Sequence, residues 1–223
     1  MTGFAAAERT LREAVIAAAR GMNAQANNRG QSGNVSARCI EPDFDGFLVT
    51  PSGMHYDALA IEDIVAVALD GTVRASETRL PSSEWPFHRA IYRARSDVGA
   101  IVHTHSIFAT TLACLGRGIP AFHYMVAKAG GSDIRCAAYA RFGGHELAEA
   151  AVGALDDRRA CLLAHHGMIA VGRDPQEALD LAVDVEALAE IYWRTLQVCE
   201  PNLLSVPEMQ HVIDKFRRYG QQQ

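Results

Sequence analysis

The sequence predicts an α/β chain in which a central sheet, mostly antiparallel or mixed, is flanked by helices in one three-layer domain spanning residues 1–223. Three observations lead there. Short apolar runs of strand length recur between Gly-, Pro- and Asn-rich turns. Apolar positions repeat at helical spacing over residues 6–22 and again over 175–196. The chain has 223 residues, 49% of them hydrophobic and 21% charged, which supports one substantial core and no disordered composition.

Residues 6–22 form an amphipathic helix expected to end near Gly21. Residues 27–34, Asn-Asn-Arg-Gly-Gln-Ser-Gly-Asn, read as a loop. Residues 35–40 alternate as a strand, Pro42-Asp43-Phe44-Asp45-Gly46 turn, and residues 47–50 return as the hairpin partner. Pro51-Ser52-Gly53 makes a second tight loop. A buried strand follows at 64–69, and Asp70-Gly71 turns it onto a partner at 72–74.

A helix starts at Pro81-Ser82-Ser83-Glu84 and runs to about Arg95. Ser82 or Ser83 supplies the N-cap, and Pro86 falls in the first turn, where a missing N–H is tolerated. An apolar run from Val98 to Val102 is the next strand. Helical character at 108–115 is stopped by Ile119-Pro120, residues 128–131 form a loop, and 144–155 an Ala-rich helix. A buried strand at 160–164 leads to His165-His166-Gly167, and residues 168–171 continue apolar. The long helix at 175–196 and a short closing helix at 207–219 complete the chain. The hairpins are what make the sheet antiparallel or mixed. No internal repeat, low-complexity segment or interdomain linker interrupts this order.

Composition narrows the function classes. A net charge of −5 gives no basic surface for nucleic acid, so an anionic ligand would be held by local features rather than by the overall field. The cysteines at 39, 114, 136, 161 and 199 are odd in number and form no CxxC pair, as expected of buried thiols in a reducing compartment. The first residues lack the basic start and apolar stretch of a signal peptide, and no run is long enough to cross a bilayer. A cytoplasmic protein without membrane partners is expected.

The chemistry centres on His103-Thr104-His105. On a strand, side chains two residues apart share a face, so the two imidazoles can bind one metal ion, and imidazole suits zinc. A third histidine comes from the doublet His165-His166. Adjacent strand residues point to opposite faces, so one of the two faces the metal, and spacing does not say which. Glu84, near a helix start, is open to three readings: a fourth ligand, a general base, or a charge favoured by the helix dipole. Ser82 and Ser83 at that helix start offer hydroxyls and free N–H groups, and Ser32-Gly33-Asn34 and Ser52-Gly53 have the composition of anion cradles.

Gly33-Asn34-Val35-Ser36, Thr50-Pro51-Ser52-Gly53, Leu80-Pro81-Ser82-Ser83-Glu84, His103-Thr104-His105, Ile119-Pro120-Ala121-Phe122-His123-Tyr124 and His165-His166-Gly167 occur in that order. In this the chain resembles the class II aldolase/adducin family, from Gly33 to the closing Lys215-Phe216-Arg217-Arg218-Tyr219-Gly220. The resemblance implies a Zn2+ ion held by His103, His105 and His166, with Glu84 as the resting fourth ligand and the base once substrate displaces it. It implies a substrate phosphate held by Asn34, Ser52, Gly53, Ser82 and Ser83. Tyr124, from a neighbouring subunit of a homotetramer, would lie near the reacting oxygen, and Tyr219 would help close the site.

The implied reaction is reversible cleavage of a sugar phosphate, a ketose 1-phosphate, to dihydroxyacetone phosphate and a small aldehyde. L-Fuculose 1-phosphate, giving L-lactaldehyde, comes first, and 5-deoxyribulose or 5-methylthioribulose 1-phosphate second. The family's 4-epimerases commonly carry Asp where this chain has Glu84, which favours the aldolase; dehydratases and decarboxylases share the scaffold. Adducin-like interaction domains lose the metal ligands, and this chain keeps them. Two departures stand out: Gln31 where a smaller Thr is expected, and residues 41–47, slightly long for the hairpin. His55, His88, His145 and His211 read as surface or packing histidines. His123 either orients the Tyr124 loop or is structural. Trp85 and Trp193 read as core or interface residues.

Overall fold

A computed structural model describes residues 5–26, 28–74 and 78–218. Seven strands form one mixed sheet: β1 (Asn34–Glu41), β2 (Phe44–Val49), β3 (Val65–Ala68), β4 (Ala100–Thr104), β5 (Arg135–Ala137), β6 (Ala160–Leu163) and β7 (Gly167–Gly172). Their spatial order is β3-β2-β1-β4-β7-β6-β5. Every neighbouring pair is antiparallel except β5 with β6.

Helices cover both faces because the strands are apolar on both faces. Ala100 and Val102 of β4 and Leu48 of β2 pack with α1 (Ala6–Gln25), α3 (Ile107–Cys114) and α5 (Pro175–Leu196). Ile101, Phe47 and Val49, which alternate with them, pack on the opposite side with Phe87, Ile91 and Tyr92 of α2 (Trp85–Ala94) and Leu147 and Ala151 of α4 (His145–Ala154). Each such large apolar side chain contributes roughly 1.5–3 kcal/mol on burial. A last helix, α6 (Val206–Arg218), rests on a 3-10 segment, Tyr124–Ala129. Asp174 caps α5, accepting from Glu177 N at 2.8 Å, and Pro175 opens it. No helix among the described residues is long and apolar enough to cross a membrane.

Several expectations are corrected. Helix α1 runs through Gly21 to Gln25. A Cβ at Gly21 would stand 2.4 Å from Leu179 Cδ2, so this glycine serves close packing of α1 on α5 rather than termination. The first hairpin is tighter than predicted: β2 starts at Phe44, paired with Glu41, and Pro42 and Asp43 alone make the turn. The predicted strand at 72–74 is reduced to a single bridge between Val73 and Val67. Edge strand β5 was not anticipated, because three residues led by an exposed-type Arg135 carry no periodic signal. Helix α2 begins at Trp85, with Glu84 in the N-cap position rather than Ser82 or Ser83.

Candidate metal centre

Strand β4 lies in the middle of the sheet, between β1 and β7, and carries His103 opposite Asn34 on one side and Ile169 on the other. His103 is fully buried, with Phe87 edge-on at 5.3 Å. His105 follows just past the strand end, and its backbone N–H donates to Asn28 Oδ1 at 2.8 Å. Asn28, itself buried, donates to Asn23 and to the Ser32 carbonyl, so the loop before β1 fixes where His105 stands. His103 and His105 thus face the same way, as strand alternation requires.

The histidine doublet is not on a strand. It sits in the turn between β6 and β7, where His165 adopts a left-handed φ of 56°. That turn directs His166 to the metal cluster and leaves His165 exposed, edge-on to Tyr139 at 5.8 Å. Gly167 is required by close approach: a Cβ there would meet Thr104 O at 2.4 Å and the His105 ring at 2.9 Å.

The rings of His103, His105 and His166 have centroids 4.8–4.9 Å apart and lie at 76–77° to one another, like blades about a common axis. Together with Glu84 they present ligand atoms that all lie within 4.8 Å of one another. Glu84 Oε2 is 3.1 Å from His103 Nε2, and Oε1 is 3.0 Å from His166 Nε2.

The donor set fits a divalent cation. His103 Nδ1 stands 2.9 Å from the Met168 carbonyl, which only accepts, so in the neutral ring the proton is on Nδ1 and Nε2 offers a lone pair. That lone pair faces His105 Nε2 at 2.9 Å and the Glu84 carboxylate. Buried Oε1 of Glu84 faces His166 Nε2 at 3.0 Å and has no hydrogen-bond partner among the described residues. A cation among these atoms satisfies all of them at once. Burial pushes the Glu84 carboxyl up, but the charge and contacts of His103 and His166 outweigh it and hold it well below the usual carboxylate range. Burial, with the charges of His103 and His166, pushes His105 down to about 3, so its ring is neutral, as a metal ligand must be.

Beside the cluster opens a cavity of about 370 Å³ whose lining includes Ser32, Gly33, Asn34, Ser52, Gly53, Ser82 and Ser83 together with Tyr139, Phe142 and His165. The serine loops are laced together: Ser52 N donates to the Leu80 carbonyl and Ser82 N to the Thr50 carbonyl, each at 3.0 Å. Tyr56 O–H ties down the first loop through the Gly33 carbonyl at 2.8 Å. Gly53 turns at a φ of +70°, which favours glycine, and the N–H groups of Gly53 and Ser83 have no partner among the described residues. Asn34 differs from the others: its side chain is buried, donating to Glu84 Oε2 at 3.0 Å and facing His88 through Oδ1. Gln31 lines the mouth.

Two expected site residues lie elsewhere. Tyr124 is half-exposed, stacks on Phe216 at 6.3 Å and does not line the cavity of its own chain. Tyr219 lies outside the described residues. His123 accepts from Met125 N at 3.2 Å and so caps the 3-10 segment that carries Tyr124. His88, expected at the surface or in packing, is fully buried in a hydrogen-bonded chain behind Asn34. Its spacing of four from Glu84, about one helical turn, is the only signal the sequence offers.

This geometry can be set beside known proteins. The family described as Class II Aldolase and Adducin N-terminal domain matches residues 13–193. The chain belongs to the class II aldolase and adducin family. As a class II aldolase it is a metal-dependent lyase. It is 54% identical over 210 residues to the 5-methylthioribulose-1-phosphate/5-deoxyribulose-1-phosphate aldolase of Rhodospirillum rubrum, covering 94% of this chain and 92% of that one. It is 46% identical over 194 residues to the L-fuculose phosphate aldolase of Escherichia coli K12, covering 86% and 87%. Among solved structures, an L-fuculose 1-phosphate aldolase superposes with a TM-score of 0.87 at 37% identity, covering 93% of this chain and 96% of that one. The sheet order and flanking helices described above are therefore those of a class II aldolase.

Proposed function

We propose that this class II aldolase reversibly cleaves a terminally deoxygenated ketose 1-phosphate to dihydroxyacetone phosphate and a small aldehyde, using one Zn2+ per subunit. The observation that carries this reading is a single cavity walled by a four-ligand cluster, an uncharged Ser/Gly cradle and exposed aromatic rings. Ser52, Gly53, Ser82 and Ser83 hold the phosphate through hydroxyl and backbone N–H groups, with Asn34 adding only the second Nδ2 proton that it does not give to Glu84, and this fixes the ketose relative to His103, His105 and His166. A divalent cation on those residues supplies Lewis-acid stabilisation of the negative charge that develops on the ketose oxygens.

Glu84 is the proton carrier. Its Oε2 is occupied by Asn34, and its Oε1 is the oxygen free to act. In cleavage the C3–C4 pair stays on C3 and Glu84 returns a proton there; in condensation Glu84 removes it. Tyr124 donates to the aldehyde oxygen as that becomes the C4 hydroxyl. The family resemblance assigns Tyr124 to the site of a neighbouring subunit in a homotetramer, and its half-exposed position outside its own chain's cavity is compatible with that. Tyr219 closes the site over bound substrate. All five cysteines are free thiols, which supports a cytoplasmic setting.

The apolar end of the substrate meets Tyr139 and Phe142, exposed in the cavity lining. The motifs alone favour L-fuculose 1-phosphate. The higher identity to the R. rubrum aldolase, 54% against 46%, favours 5-deoxyribulose or 5-methylthioribulose 1-phosphate. The test is release of dihydroxyacetone phosphate from these and from L-fuculose, L-rhamnulose and ribulose 1-phosphates, with and without a chelator. Chelator-sensitive release with the five-carbon 5-deoxy substrates leading is the expected result. Preference for L-fuculose 1-phosphate restores the six-carbon assignment. No release from any of them, with metal bound, overturns the aldol reading in favour of epimerase, dehydratase or decarboxylase chemistry.

A further inference from the structure

We infer that His88 is a positioning residue for this centre: through Asn34 it holds the Glu84 carboxylate among the three imidazoles. The inference rests on Glu84 being a ligand and proton carrier, as proposed above.

His88 lies one helical turn after Glu84 and is fully buried. Its Nδ1 is 2.7 Å from Ser36 Oγ, which is 2.8 Å from Tyr92 Oη. Its Nε2 is 2.5 Å from Asn34 Oδ1, and Asn34 Nδ2 is 3.0 Å from Glu84 Oε2. The protons in this chain are assigned by elimination. The ionised Glu84 carboxylate only accepts, so Asn34 presents its amide N–H to Glu84 and its Oδ1 to His88. Oδ1 only accepts, so His88 carries its proton on Nε2. Nδ1 of the neutral ring then accepts from the Ser36 hydroxyl, whose oxygen accepts from the Tyr92 phenol.

Four hydrogen bonds therefore run in one direction through five groups, Tyr92 to Ser36 to His88 to Asn34 to Glu84. Bonds aligned in this way polarise one another in a dry interior. Burial, helped by the His103 charge and opposed by Glu84, pushes His88 down to about 3, so the direction does not reverse near neutrality. Phe87 stacks on the His88 ring at 4.5 Å and Phe47 at 6.5 Å, fixing its plane. Without the Nε2 donor, the Asn34 amide has nothing to hold its orientation and is free to flip, presenting oxygen to an anionic carboxylate. The chain thus anchors Oε2 and leaves Oε1 available for the cation and for proton transfer.

The test uses His88→Leu, with His88→Gln retaining a side-chain donor, and reads Co2+ affinity, the visible spectrum of the Co2+ form, kcat and KM. His88→Leu is expected to weaken Co2+ binding or lower kcat about 10–100-fold, with KM changed less than about threefold, and His88→Gln to recover part of the loss. In the double variant with Asn34→Ala the two losses do not add, because His88 acts through Asn34. Additive losses, or an unchanged Co2+ spectrum and kcat in folded His88→Leu, overturn the inference. Should His88→Leu fail to fold, Ser36→Ala and Tyr92→Phe interrogate the same chain from its far end: a larger loss in Ser36→Ala than in Tyr92→Phe is expected, and no loss in either overturns it. A wild-type protein that binds no Co2+ would end the metal reading separately. The crystal structure of His88→Leu then decides the positioning role: a displaced Glu84 carboxylate supports it, and one left in place overturns it.

Discussion

Asn34 donates from Nδ2 to Oε2 of Glu84 across 3.0 Å, joining the first residue of β1 to the N-cap of α2, fifty positions along the chain. The bond divides the two carboxylate oxygens: one is committed to the protein and the other is not. A carboxylate held this way keeps its reacting oxygen among the imidazoles without a conformational search, which is how pre-organisation lowers a barrier.

Glu84→Gln is expected to leave the three histidines and bound metal in place and to lower kcat roughly 10²–10⁴-fold, the usual contribution of a general base. Metal analysis of the purified variant beside a dihydroxyacetone phosphate assay checks this. Turnover within a few-fold of wild type removes Glu84 from the proton transfer.

His166→Ala is expected to lose metal and activity together, and His165→Ala to keep metal, because the left-handed turn at His165 places only His166 in the cluster. Bound metal should also raise the melting temperature of the wild type, by mass action on the folded state. A metal-replete His166→Ala protein would reverse the assignment within the doublet.

Mixing the inactive variants Glu84→Gln and Tyr124→Phe under conditions of subunit exchange is expected to regain activity. If sites are shared between subunits as proposed, hybrids would contain sites that combine an intact Glu84 with an intact Tyr124 from the next subunit. If the mixture never exceeds the sum of its components, Tyr124 acts within its own chain or not at all.

Stability should fall on acidification below about pH 6.5. His88 has an ordinary value of 6.5 but about 3 when folded, so between these limits the unfolded chain binds a proton that the native one refuses. Above 6.5 this group contributes no pH dependence. Glu84, held low, adds to the same trend at pH values below the ordinary carboxylate range. Urea midpoints measured from pH 7.5 to 4.5 should decline, and decline less in His88→Leu; parallel curves would mean that His88 titrates normally.

A maleimide should modify Cys114 and Cys199 first, since both are exposed. Burial pushes the Cys39 thiol up to about 11 and Cys161 up to about 12, leaving little thiolate at neutral pH. Peptide mass mapping after brief labelling decides, and early modification of Cys161 would contradict its place in β6.

What could be read from sequence was what depends on near neighbours. The shared direction of His103 and His105 follows from strand alternation alone, and the Ser/Gly loops from their turn chemistry. The choice within His165-His166 depended on one residue entering the left-handed region, which no periodicity signals. Glu84 was recognised for its chemistry but placed inside the helix; its N-cap position leaves it free of the helical face and lets it turn to the metal ligands. The role of His88 is not legible in sequence because its partners, Ser36 and Asn34, are 52 and 54 residues away and meet it only where α2 packs on the sheet. Gly21 looked like a stop and proved to be a helix contact, a distinction made by Leu179 far downstream.

The longest strand, β1 with eight residues, lies inside the sheet, and both margins are short: β3 has four residues and β5 has three. An unpaired strand margin is a template on which another chain can add by backbone pairing, and the hazard grows with its length. Margins this brief, one of them led by Arg135, offer little for a foreign strand to grip. The β3 margin is further covered by the bridge from Val67 to Val73, so both ends of the sheet leave little backbone for edge-to-edge pairing.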